Sequence, residues 1–258
     1  MGRESTSMEL TREKTWIVLP AYNAAETLHA TVSKIPNEFS GRIILVDDAS
    51  SDSTIELASE LGLWVFAHEN NLGYGANQKT CYKAALEFGA EIVIMLHPDN
   101  QYDPRVVGII SDLIALDNAD VILGNRIRNR KDALAGGMPV WKYFINRFTT
   151  LMENVLLGQT IGDFHSGLRG YSREVLQTIP FELNENGFGF DQQLLIQIAA
   201  FGFRTGEVPV PTNYAPGSSS IKFAASLKYG LTTLRFILLY LMFKLGIVSP
   251  RIFRRQIL

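Results

Sequence analysis

The stretch Ile92-Val93-Ile94-Met95-Leu96-His97-Pro98-Asp99-Asn100-Gln101-Tyr102-Asp103-Pro104 joins two kinds of chemistry end to end. Its first five residues form a continuous apolar run, as a strand covered on both faces requires. The rest is polar, and Pro98 and Pro104 stop the strand from running on. Such a strand sets cation and phosphate ligands at the carboxyl edge of a sheet, where open α/β sheets bind their ligands. Asp99 and Gln101 are alternate residues of an extended turn and can face one cation; their oxygens suit Mg2+ or Mn2+. His97 can join them or touch a phosphate. The plain alternative for all three is a capped turn beside a proline. No glycine-rich phosphate loop occurs in the chain, so a diphosphate held here would be held by a cation rather than by a helix N-terminus.

Outward from this strand, apolar runs alternate with helical patterns. Strands are expected at Thr15–Leu19, Arg42–Val46, Leu63–Ala67, Glu91–Leu96 and Asp120–Leu123. Helices are expected at Ala24–Ile35, Asp52–Leu61, Tyr74–Phe88 and Pro104–Leu116, bounded by Pro36, Gly62, Gly89 and the N-terminal Pro104. The alternation predicts an α/β fold with a doubly wound, mainly parallel central sheet. Beyond it, Pro139–Leu157 and Phe190–Phe201 read as helices, with a polar motif at Gly162–Arg169 between them. Glu207–Pro211 reads as an edge strand, because its prolines cannot donate ladder bonds.

Other strand ends also carry polar groups. Asp47 and Asp48 follow the second strand and can accept bonds from a base or a ribose; helix capping by Asp52 beside a solvated pair is the competing reading. Pro20 and Tyr22 follow the first strand, where Tyr22 can stack on a base. Gly73 and Gly75 follow the third and allow close backbone approach to a ligand.

Within 258 residues, an apolar fraction of 47% and a charged fraction of 19% describe a globular chain with a full core. Cys81 is the only cysteine, which excludes a disulfide framework and a cysteine zinc site and fits a reducing cytoplasm. Residues 1–14 hold no apolar signal core and read as a frayed leader. No acidic residue follows Glu207, whereas Lys222, Lys228, Arg235, Lys244, Arg251, Arg254 and Arg255 do. The last 51 residues thus carry +7, leaving 17 basic against 26 acidic residues, or −9, in residues 1–207. Within Phe223–Val248 the longest charge-free stretch, Phe236–Phe243, is 8 residues, far short of the roughly 20 a spanning helix needs. The tail is expected to be an amphipathic helix at a membrane interface, or one packed on the sheet or on a second subunit. A nicotinamide oxidoreductase is disfavoured by the missing G-x-G-x-x-G. Nucleic-acid binding is disfavoured by a tail that is aliphatic rather than interleaved with exposed aromatics.

Together these motifs resemble an inverting family 2 glycosyltransferase of the GT-A fold, and in particular the polyprenyl-phosphate glycosyltransferases of the dolichyl-phosphate mannose synthase group. The motifs are Leu19-Pro20-Ala21-Tyr22-Asn23, Val46-Asp47-Asp48-Ala49-Ser50, Asn71-Leu72-Gly73-Tyr74-Gly75, Asp99–Pro104, Gly124-Asn125-Arg126, Asp163–Arg169 and Glu207-Val208-Pro209. The likeness implies a catalytic domain over 15–221 and a membrane-interface or dimerisation segment over 222–258. It implies that Pro20, Tyr22 and Asp47 hold the nucleoside of a UDP- or GDP-sugar and that Asp99 and Gln101 bind the metal. It also implies that Arg126 contacts a phosphate and that Asp163 and Ser166 line the acceptor side. The expected acceptor is a polyprenyl phosphate at the cytoplasmic membrane face, with a homo-oligomer or a membrane partner protein as a further possibility. The alternatives are transfer to a sugar hydroxyl, for which Asp163 or Asp191 would be the base, and a non-catalytic nucleotide-sugar binder. Two positions depart from the family: His97 replaces its first aspartate, and Asn213 stands where an arginine often binds phosphate, with Lys222 as the substitute. Arg169 is a further candidate for screening the acceptor phosphate.

Overall fold

The computed structural model describes residues 11–127, 130–135, 138, 140–211 and 223–256. The first strands follow the apolar runs closely: β1 (Thr15–Ala21), β2 (Ile43–Asp47), β3 (Trp64–Ala67), β4 (Ile92–Met95) and β5 (Val121–Asn125). Between them lie α1 (Ala25–Val32), α2 (Thr54–Glu60), α3 (Tyr74–Glu87) and α4 (Val107–Ala115). The second half contributes α5 (Arg130–Ala135), α6 (Val140–Leu157), β6 (Arg169–Ser172), α7 (Arg173–Thr178), α8 (Phe190–Phe201), β7 (Thr205–Pro209) and α9 (Phe223–Lys244).

The seven strands form one sheet in the order β3-β2-β1-β4-β6-β5-β7. Every pairing is parallel except those of β6, which runs antiparallel to both β4 and β5. Strands buried on both faces divide their side chains by period two. Trp16, Val18, Ile44, Val46, Val93 and Met95 enter the core under α3 and α8. Ile17, Leu19, Ile43, Leu45, Ile92 and Ile94 enter the core under α1, α2 and α4. Strand order reverses between β1 and β4, so their carboxyl ends flank a topological switch point, the place where such sheets open a crevice.

Three expectations are corrected here. Residues 11–13 form a helical turn, and Arg12 pairs with Glu38 at 2.7 Å and with Asp112 at 3.1 Å, so the end of the expected leader belongs to the domain. The polar motif ending at Arg169 leads into β6, an inserted antiparallel strand that the sequence reading left out. Gly170 lets α4 lie close on that strand, since a Cβ there would collide with Ile110. The tail is neither wholly buried nor wholly superficial. Ile237 and Tyr240 of α9 enter the core, Leu234, Leu238 and Met242 are exposed, and Phe253 returns to stack on Phe243 with ring centroids 5.0 Å apart.

Candidate active site

The carboxyl ends of β1, β2 and β4 carry the expected residues. Pro20 and Asp47 lie in the paired ends of β1 and β2. Tyr22 projects at 57% exposure just beyond β1. Asp47 is fully buried, and its carboxylate accepts from the Ser50 backbone N–H at 2.8 Å and from the Ser50 hydroxyl, which closes the turn after β2.

Both carboxylate oxygens of Asp48 have partners within the chain. One carboxylate oxygen accepts from Leu72 N–H at 2.9 Å and lies 2.7 Å from His68 Nδ1; the other accepts from Gly73 N–H at 2.9 Å. Both oxygens are spent holding the loop after β3. Gly73 and Gly75 also lie against the chain itself. A Cβ on Gly73 would sit 2.7 Å from the Asn186 carbonyl oxygen, and Gly75 N–H donates to that same oxygen at 2.7 Å. The close approach these glycines permit is to the chain's own 185–190 loop.

Beyond β4, Asp99 Oδ1 accepts from Gln101 N–H at 3.0 Å. Among the described residues no hydrogen bond reaches Asp99 Oδ2 or the Gln101 amide. His97 stacks on Tyr74 with centroids 5.5 Å apart, and its Nε2 lies 3.0 Å from the Tyr74 hydroxyl. That hydroxyl donates its single proton to Asp191 Oδ2 at 2.9 Å. His97 Nε2 therefore carries a proton and donates to Tyr74, which leaves the lone pair on Nδ1. Burial lowers the His97 pKa, against the upward pull of Asp99 and Asp191, so the ring is neutral. Its free lone pair fits a cation and not a phosphate oxygen. Among the described residues no three His, Cys, Asp or Glu side chains gather round one point. Asp99 and Gln101, with His97 Nδ1 available, fit Mg2+ or Mn2+ as a partial donor set of the kind that substrate phosphates and water complete.

On the far side of the sheet Arg126 and Asp163 are brought together. The guanidinium donates Nε to Oδ2 at 2.6 Å and Nη2 to Oδ1 at 3.0 Å, a two-pronged pair. Asn146 of α6 and the His165 backbone N–H each add a bond to Oδ1 at 3.1 Å. Burial by itself raises the Asp163 pKa, but Arg126 outweighs it and the carboxyl is held down at about 2. A carboxylate so held is a poor proton acceptor. Asp191 is equally occupied, by Tyr74, by Gln78 Nε2 at 2.8 Å and by Arg169 at 3.3 Å. Arg169 is fully buried and donates Nε to Ser166 C=O at 2.7 Å. Ser166 is buried as well, at 1% exposure. Lys222 and Asn213 lie outside the described residues.

Sequence reading missed the character of α6. Its inward stripe is Asn146, Thr150, Glu153 and Leu157, three of them polar. Its outward face is Val140, Trp141, Phe144, Ile145, Phe148, Leu151, Met152 and Val155, each between 42% and 73% exposed. This is the inverse of a soluble amphipathic helix. Arg147 rises from within the apolar face and donates Nη1 to the Gly162 carbonyl at 2.7 Å, beside Asp163. The signal was present in the 3.6-residue spacing of these apolar residues, but periodicity does not say which face points inward.

A model of the family described as glycosyl transferase family 2 matches residues 16–179. A UDP-N-acetylglucosamine–dolichyl-phosphate N-acetylglucosaminyltransferase of Methanococcus voltae is 28% identical, over 77% of this chain and 85% of its own length. A dolichyl-phosphate hexose transferase of Haloferax volcanii is 29% identical, over 83% and 89%. A crystal structure of glucosyl-3-phosphoglycerate synthase from Mycobacterium tuberculosis, in complex with Mn2+, UDP and phosphoglyceric acid, shares the fold. Its TM-score is 0.60 at 18% identity, covering 91% of this chain and 79% of that one. The chain belongs to glycosyl transferase family 2.

Proposed function

We propose that this glycosyltransferase moves a sugar, with inversion, from a UDP- or GDP-sugar to a polyprenyl phosphate of the dolichyl type, working as a peripheral protein on the cytoplasmic membrane face. The observation that carries this reading is α6: an apolar face turned to solvent, with a polar face packed on the Arg126–Asp163 pair. An exposed apolar stripe of this length on a soluble protein marks an interaction surface, and a prenyl chain needs a lipid phase beside the site that receives its phosphate. The exposed Leu234, Leu238, Leu245 and Ile247 and the acid-free tail extend that surface and complement anionic lipids. Among the described residues no helix is long and apolar enough to cross a membrane.

A phosphate monoester is already an anion near neutral pH, its second pKa being about 6. It attacks the sugar carbon directly and needs orientation and charge screening rather than a base. That agrees with the full engagement of Asp163 and Asp191, the two carboxylates on which transfer to a hydroxyl would have depended. Arg126, fixed by Asp163, and Arg147, at the boundary of the apolar face, are suited to hold the acceptor phosphate. Pro20, Tyr22 and Asp47 shape the nucleoside side, with Tyr22 free to stack on a base. Asp99 and Gln101 would hold Mg2+ or Mn2+, which when bound screens the charge of the departing diphosphate. Burial keeps His97 neutral, and the Tyr74–Asp191 pair orients it beside them.

The test is incubation of the protein and membranes with a panel of radiolabelled UDP- and GDP-sugars. Label is expected to enter the organic phase with one donor, and Asp99→Ala is expected to abolish this with the melting temperature unchanged. Normal transfer by Asp99→Ala would overturn the metal assignment.

A further inference from the structure

Behind the Arg126–Asp163 pair lies a buried acid that the proposed chemistry does not use. Glu153 is 2% exposed on the inner stripe of α6, and among the described residues neither of its oxygens has a hydrogen-bond partner. Its Oε2 lies 3.5 Å from His165 Nε2. The state of that imidazole follows from its neighbours. Thr149, one turn before Glu153, donates its hydroxyl proton to the Ile145 and Asn146 carbonyls at 3.0 Å. It can therefore only accept from His165 Nε2, 2.9 Å away. Nε2 is protonated, and Nδ1 accepts from Gln192 Nε2 at 2.8 Å. His165 is thus neutral with both nitrogens occupied, and it offers Glu153 no charge and no well-placed proton.

An ionised carboxylate without donors in such a place is costly. We propose that Glu153 is a positioning residue held as a neutral acid, which seats α6 against His165 and the Asp163–Arg126 pair, and that its ionisation sets the alkaline limit of sugar transfer. The inference rests on the transfer reaction proposed above. Its surroundings agree with it. Asp163 disfavours a second negative charge, whereas Arg169 favours one. Arg126 is committed to Asp163, and Asp191 of α8 to Tyr74, Gln78 and Arg169. From α9, which packs against α6, the described cations Arg235 and Lys244 are exposed. Burial first, and Asp163 second, push the Glu153 pKa up to about 8. Ionisation there would draw the Nε2 proton from Thr149 and repel Asp163, which loosens the seat of the helix that carries Arg147.

Two readouts test this. The first needs no sugar transfer: infrared spectra of the wild type should show a buried protonated carboxyl at pH 7 that is lost on titration through about pH 8, and Glu153→Gln should lack it. The second is the pH profile of kcat/KM with lipid phosphate. The wild type should fall toward about tenfold per pH unit above that ionisation. Glu153→Gln, neutral and of the same shape, should stay within about twofold over the same range. If Glu153→Gln does not fold, Glu153→Met takes its place. A wild-type spectrum without that carboxyl signal, or parallel alkaline losses in wild type and variant, overturns the proposal. Failure of transfer alone, with the infrared titration intact, overturns the functional reading instead.

Discussion

Asp163 shows how one residue's surroundings decide its role. As a carboxylate at the mouth of a site it could serve as a base, yet Arg126 grips it with two bonds and holds its pKa near 2. Its task is to aim the guanidinium. Removing one partner of a buried pair strands the other, at a typical cost of roughly 3–5 kcal/mol. Asp163→Asn is therefore expected to lower stability by about that much in urea denaturation, and to cut transfer through Arg126. The pair also shapes acid stability. The folded pKa of Asp163 lies below the ordinary carboxyl value, so its contribution is present above about pH 3.8 and is lost as pH falls toward 2. His165 acts earlier. Burial lowers its pKa from 6.5 to about 4, so stability falls as pH drops through that window. Urea midpoints measured from pH 7 to 4 should decline in the wild type and stay flatter in His165→Gln.

At the scale of elements, α6 is the one whose local rule is reversed. Its apolar residues face out because its polar ones are needed inside: Asn146 bonds Asp163, and Thr150 lies 3.5 Å from Asn146 Oδ1. Phe148 and Leu151 are 65% and 62% exposed and contribute little to the fold. Phe148→Asp with Leu151→Asp is expected to leave the unfolding free energy in urea within about 0.5 kcal/mol of wild type. The same variant should lose flotation with anionic vesicles and most transfer to a long-chain acceptor. A variant that still floats and transfers would remove α6 from the membrane face. The same helix marks where sequence reading ran out. The five strands β1 to β5 were legible because runs such as Ile92–Leu96 are apolar throughout, and the edge strand β7 because its prolines cannot pair inward. β6 was missed because Arg169-Gly170-Tyr171-Ser172 has no apolar run; its burial comes from the Arg169–Asp191 pair and from packing beneath α4. A carboxylate and a glycine after buried strands read as site residues, and sequence alone does not show the contacts that Asp48 and Gly73 make with each other and with Asn186.

Across the whole molecule, the two halves of the chain meet at Asp191. From the N-terminus of α8 it takes Tyr74 and Gln78 of α3 on one side and Arg169 of β6 on the other. Through Tyr74 it also sets the tautomer of His97 beside Asp99. The proposed nucleotide side on β1, β2 and β4 is thereby fixed relative to the proposed acceptor side on β5, the 162–168 turn and α6. Charge is divided differently along the chain: residues 1–207 are net acidic, and the segment beyond Glu207 has no acidic residue. The account stands on an acceptor that brings its own negative charge, presented from lipid. The most direct measurement compares a polyprenyl phosphate with the matching polyprenol as acceptor, in the same vesicles and with the same labelled donor. Labelled lipid should form with the phosphate alone, whereas equal labelling of the alcohol, or transfer only to a water-soluble sugar, would contradict it.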